Sequence, residues 1–167
     1  KPSWQLSGAT RDGQSETPDW RPVSPPAIPD VTVVESRWVN KGNGRLTELF
    51  RGDWFEGAAA IGQVFHVVLN GHGVSAWHVH EHTTDRIFIA SGHVRLVLYD
   101  ARSESPAAGR VMEVLLSEHR PQLVVIPPGI WHGVQNLDHV PALIVNIPDR
   151  AYDYRDPDHW RLPPDTS

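Results

Sequence analysis

The chain has 167 residues, enough for one domain with a real core and too few for two. A net charge of −5 without a basic run excludes a nucleic-acid surface and an anionic-membrane binder. With no cysteine, disulfides and thiolate ligands are excluded, so any metal must be held by His and carboxylate. No apolar run is long enough for a transmembrane helix, and no signal-peptide core opens the chain. A cytoplasmic location is the default expectation.

Residues 1–30 include "TPDWRPVSPPAIPD", where Pro25, Pro26 and Pro29 suit neither a helix nor a central strand. This predicts an extended N-terminal arm. A single barrel domain is expected over 31–167. From residue 31 short apolar runs recur: "VTVVESRWV", "RLTELFRGDW", "AIGQVFHVVLN", "DRIFIASG", "HVRLVLYD", "RVMEVLLS", "QLVVIPPG" and "PALIVNIP". Several alternate with period two. In "HVRLVLYD", Val94, Leu96 and Leu98 share one face; Arg95, Val97 and Tyr99 share the other. Turn residues separate the runs, as in "NGHG" at 70–73 and "PPG" at 127–129. No window sustains a helical period. Many short strands with regular turns indicate an all-β sandwich or barrel. The tail "DRAYDYRDPDHWRLPPDTS" is polar, and is expected to pack over the barrel as loop and short turns.

Within this frame, "SAWHVHEHTTD" (75–85) places three histidines on alternate positions. On a strand His78, His80 and His82 would share one face, with Trp77, Val79 and Glu81 on the other. The pattern is equally that of a polar strand face. A second stretch, "IPPGIWHGVQN" (126–136), puts His132 just after a Pro-x-Gly turn.

Together the two stretches resemble the motifs of the cupin family. His78, His80, Asp85 and Gly92 match the first motif; Pro127, Gly129, His132 and Asn136 match the second. The resemblance implies a double-stranded β-helix, a jelly-roll barrel. It implies His78, His80, Asp85 and His132 as ligands of one divalent ion: Mn, Fe, Co, Ni or Zn. Asp85 replaces the usual Glu and reaches roughly 1.5 Å less far. His82 is expected in the pocket wall.

A narrower resemblance rests on "NGRLTELFR" (43–51), residues 99–133, Tyr152 and "PPDT" (163–166). These look like the dTDP-4-dehydrorhamnose 3,5-epimerase family. Its enzymes use the same barrel without metal. A His–Asp pair removes the proton beside the sugar's ketone, and a Tyr protonates the opposite face. By position the base is His78 and its partner Asp165. The chain departs from the family at three places: Ser75 stands for an Arg, Asp85 for the Lys that stabilises the enolate, and Val145 for the catalytic Tyr.

The main expectation is a metal-dependent cupin enzyme of isomerase or epimerase type. Its substrate would be a small carbonyl-bearing or sugar-like molecule. A divalent ion would supply the positive charge lost with the Lys. The second expectation is a metal-free epimerase using His78 and Asp165. A metal-dependent dioxygenase and a non-catalytic small-molecule-binding cupin are further alternatives. A homodimer is expected, with the arm laid along a partner's sheet.

Overall fold

The computed structural model describes residues 5–11, 13–19, 21–56 and 59–166. Of the arm expected over 1–30, residues 1–4, 12 and 20 lie outside those described. In chain order the strands are β1 (Thr32–Glu35), β2 (Trp38–Lys41), β3 (Gly44–Thr47), β4 (Phe65–Leu69), β5 (Val74–Val79) and β6 (Asp85–Ser91). There follow β7 (His93–Asp100), β8 (Val111–Ser117), β9 (Gln122–Ile126), β10 (Ile130–Asn136), β11 (Ala142–Asn146) and β12 (Trp160–Arg161). One 3₁₀ turn covers Gly52–Trp54.

The strands make two five-stranded sheets, ordered β1-β9-β6-β11-β4 and β12-β5-β10-β7-β8, beside a small β2-β3 hairpin. The pairs given by register are all antiparallel. The fold is all-β, as the short alternating runs predict, and a jelly roll, as the family resemblance implies.

The expected alternation in 93–100 is present. Val94, Leu96 and Leu98 have no exposure and point between the sheets. They meet Ile87, Ile89, Leu116, Val124, Ile126 and Ile130 in one apolar core, whose burial drives the sheets together. Ile28 and Val31 belong to the same core, so the chain docks onto the barrel before the expected end of the arm.

Two local devices aim the polar face of the barrel. Gly129 turns the chain with φ +81, a conformation that costs a side-chain-bearing residue strain. Its N–H donates to the His80 carbonyl at 2.8 Å, which ties the turn before β10 to the end of β5. The second device is a slip in the β5–β10 ladder. His132 pairs with His78, but Val134 pairs with Ser75, so β5 carries one extra residue between the two pairs. The extra residue turns Ser75 to the same side as His78.

The tail does more than the expected loop. After an irregular stretch it forms β12, which pairs with the free edge of β5 through Trp160↔Val79 and Arg161↔His78. Among the described residues no helix is long and apolar enough to cross a membrane.

Candidate active site

A cavity of about 670 Å³ opens between the sheets. Its walls come from β4, β5, β6, β10, β11 and the tail, and its polar side carries His78, His80, His132 and His159 around Asp85. The size suits a small organic ligand.

Asp85 opens β6 and is buried at 4% exposure. One of its oxygens, Oδ2, lies 3.2 Å from Nε2 of both His80 and His132. The other, Oδ1, accepts from Asn146 Nδ2 at 2.9 Å. Burial alone would raise this carboxyl. The hydrogen bonds and charges of His132 and His80 outweigh it and hold Asp85 well below the usual carboxylate range. His80 responds in the opposite sense. Burial pulls it down, but Asp85 and the Asp158 carbonyl prevail and raise it. Its Nδ1 donates to that carbonyl, so both ring nitrogens face acceptors and the imidazolium is favoured. The Nδ1 of His132 faces the Ile130 carbonyl at 3.1 Å.

His78 stands apart from this set. Its Nε2 is 3.0 Å from Ser75 Oγ and its Nδ1 is 2.8 Å from His159 Nε2. Burial above all, with smaller charge interactions from His132, His159, Arg161 and His80, lowers it to about 4. It is a neutral imidazole at physiological pH.

The expected ligands therefore divide. His80, Asp85 and His132 bring donor atoms within 4.8 Å of one another, and His78 is outside that group. His82 lines the cavity at its exposed edge. Asp165 lies in an exposed turn after β12 and outside the cavity wall. His159 stands against the His78 Nδ1 where the sequence reading placed Asp165. Val145 alternates with Ile144 and Asn146, both of which line the cavity, and is itself outside it. The cavity phenols come instead from the tail, at Tyr152 and Tyr154. Sequence reasoning missed Asp158 and His159 as site residues. They lie in a polar tail with no periodicity to mark them.

A family model described as dTDP-4-dehydrorhamnose 3,5-epimerase matches residues 25–159. The chain belongs to that family. It is 34% identical over 141 residues to a probable low-salt glycan biosynthesis epimerase, Agl13, of Haloferax volcanii, covering 84% of this chain and 90% of that protein. It is 35% identical over 90 residues to the spore coat polysaccharide biosynthesis protein SpsL of Bacillus subtilis, covering 54% of this chain and 60% of that one. The crystal structure of a dTDP sugar isomerase from Desulfovibrio desulfuricans superposes with a TM-score of 0.78 at 26% identity, over 84% of this chain and 88% of that one. A Streptomyces bikiniensis 3'-monoepimerase crystallised with dTDP shares the fold at a TM-score of 0.76 and 21% identity, over 84% and 72% of the two chains. The protein is an enzyme of the sugar-epimerase type.

Membership corrects the expected divalent ion. Epimerases of this family work without metal, and the side chains here are arranged for one another. The clustered imidazoles called for an ion because each needs partners when buried. Asp85 partners two of them, and Ser75 and His159 partner the third. The four-ligand set is not assembled, because His78 turns to Ser75 and His159. The metal-free alternative fits better than the main expectation.

Proposed function

We propose that the protein epimerises a dTDP-linked 4-dehydro sugar, or a close nucleotide-sugar relative, without a metal and with His78 as its base. The observation that carries this reading is the His78 imidazole itself. It is neutral, it lines the cavity, and among the described residues its Nε2 has only the Ser75 hydroxyl as partner.

In the forward step His78 Nε2 takes the proton from the carbon beside the ketone. The electron pair of that C–H bond moves onto the ketone oxygen as an enolate. The carbon then receives a proton on its opposite face, with Tyr152 as donor. Afterwards His78 releases its proton to solvent and Tyr152 regains one. A positioned acid or base of this kind contributes about 10²–10⁴-fold.

The enolate needs positive charge nearby. The family supplies Lys, and this chain has Asp85 there. In the proposed reading the imidazolium of His80 takes over. His80 is more open than the carboxylate behind it, with side-chain exposures of 16% and 6%. The pair therefore turns its positive end toward the cavity.

The test is proton exchange. A dTDP-linked 4-dehydro-6-deoxyhexose incubated with the enzyme in D2O should gain deuterium beside the ketone, read by mass spectrometry. His78→Asn should slow this at least ~100-fold. Exchange at the native rate in that variant would sink the reading.

A homodimer is part of the same proposal. β4 is the outermost strand of its sheet and exposes Phe65, Val67 and Val68. A second copy would cover this edge. Light scattering that finds a monomer at every concentration would remove that part.

A further inference from the structure

We infer that His159 is a positioning residue that holds His78 in a single tautomer, with the proton on Nδ1 and the Nε2 lone pair on the cavity side beside the Ser75 hydroxyl. The inference rests on the reading of His78 as the base.

The contact is direct. His159 Nε2 stands 2.8 Å from His78 Nδ1, and the ring centroids are 5.0 Å apart. On its other side His159 faces His80, with centroids 5.1 Å apart. Two neutral imidazoles at hydrogen-bond distance share one proton. One ring donates, the other accepts, and the choice sets which nitrogen of each ring is free. Ser75 cannot make that choice for His78, because a hydroxyl both donates and accepts. His159 makes it when its own proton sits on Nδ1, because its Nε2 is then an acceptor only, facing His78 Nδ1 at 2.8 Å.

The tail is built to keep His159 in place, and residues on both sides of it are clamped. Before it, the Asp158 carboxylate accepts from the Glu81 and His82 amides at 2.7 and 3.0 Å and from Thr83 Oγ1 at 2.7 Å. After it, β12 pairs with β5, and Trp77 and Leu162 exchange main-chain hydrogen bonds of 2.9 and 3.1 Å. His159 N–H donates to the Pro157 carbonyl at 2.9 Å. These bonds join the tail to the strand that carries the base.

Free neutral histidine prefers its proton on Nε2. A base that works through Nε2 must suppress that form, and an acceptor fixed at Nδ1 does so. A carboxylate partner would also add negative charge behind the base. His159 orients the ring without adding that charge.

The experiment reads the tautomer first. Protein labelled with ¹⁵N-histidine is examined by long-range ¹⁵N–¹H correlation, with His78→Asn assigning its signals. Native protein should show His78 protonated on Nδ1. His159→Ala should move the proton to Nε2, and His159→Gln, whose side-chain oxygen accepts, should return it to Nδ1. In the D2O exchange assay His159→Ala should lower kcat ~10–100-fold with KM little changed, and His159→Gln should recover most of the loss. An unchanged His78 tautomer in His159→Ala overturns the inference. So does a loss in His159→Ala that His159→Gln fails to repair while both variants melt like the native protein. Should the tautomer switch as expected while His78→Asn still exchanges deuterium, His78 is not the base, and the positioning role of His159 stands alone.

Discussion

His78 on β5 and His132 on β10 are direct cross-strand partners, with ring centroids 6.0 Å apart. The pairing brings the two histidine motifs onto one wall of the cavity. They nevertheless serve different environments. His132 belongs to Asp85, and His78 belongs to Ser75 and His159. That division separates the neutral His78, the proposed base, from the ionised Asp85 carboxylate on the same wall.

The division predicts a bell-shaped pH profile. His78 is lowered to about 4, mainly by burial and by His132. A base works unprotonated, so activity is present above about 4 and falls as pH drops through it. His80 is raised, and its charge is present at low pH. That contribution fades as pH rises past a point above the ordinary histidine value of about 6.5. kcat/KM should therefore have an acid limb near 4 and an alkaline limb above 6.5. Asp85 is lowered by its histidines, so its stabilisation is full above the unfolded carboxylate value of about 3.9 and is lost as pH falls. Urea midpoints taken over the same range separate loss of fold from loss of the base. An acid limb near 6.5 would contradict this assignment.

Metal removal is a second discriminator. Dialysis against EDTA should leave kcat/KM unchanged, and added Mn, Fe, Co, Ni or Zn should not raise it. Asp85→Ala should be costly for another reason. It leaves the His80 imidazolium buried without its counter-charge, which costs about 3–5 kcal/mol. Urea unfolding measures this. A variant as stable as the native protein would show that the Asp85 pair carries little energy.

Much of the architecture was legible because strand periodicity is local. Val94, Leu96 and Leu98 announce their face without help from distant residues, and Gly129 announces its turn. His78, His80, Asp85 and His132 were legible as a set only through the family motifs they match. Their roles were not. Whether clustered imidazoles bind an ion or one another depends on side chains far away in sequence, and Asp158 and His159 come from a tail without periodicity. Parity also misled locally. Ser75 should face away from His78, but the extra residue in β5 turns it inward.

Asn136 shows how a motif residue can be structural. It has no exposure, and its amide donates to the carbonyls of Leu69, Asn70 and Val140 at 3.1, 3.1 and 2.8 Å. Its Oδ1 accepts from the Asp138 N–H at 3.0 Å. Asn136→Ala strips partners from several polar groups at once. It should cost about 2–4 kcal/mol of stability. kcat/KM per folded molecule should be unchanged, because Asn136 does not line the cavity. Urea unfolding paired with an assay at low temperature checks both halves, and a selective loss of kcat would give Asn136 a catalytic role instead.

The second proton needs a donor of its own on the face opposite His78. By the family resemblance the catalytic Tyr falls near Val145, which carries no hydroxyl and lies outside the cavity wall, so in the proposed mechanism a phenol comes from elsewhere. Tyr152 and Tyr154 line the cavity and pack edge to face, with centroids 5.1 Å apart. Tyr154 is 86% exposed and Tyr152 is 45%. Tyr152 is also anchored, since its N–H donates to Gln63 Oε1 at 2.9 Å. It is the better-held donor. Removing its hydroxyl should leave the first half of the reaction intact, because His78 still takes the proton and still returns one to the same face. In D2O, Tyr152→Phe should keep deuterium exchange beside the ketone while inversion falls ~100-fold or more. Tyr154→Phe should do neither. Chiral analysis of the sugar product, run beside the exchange measurement, separates the two rates. Inversion at the native rate in Tyr152→Phe would remove Tyr152 from the mechanism. Parallel loss of exchange and inversion would show that its hydroxyl serves the base or the substrate rather than the opposite face.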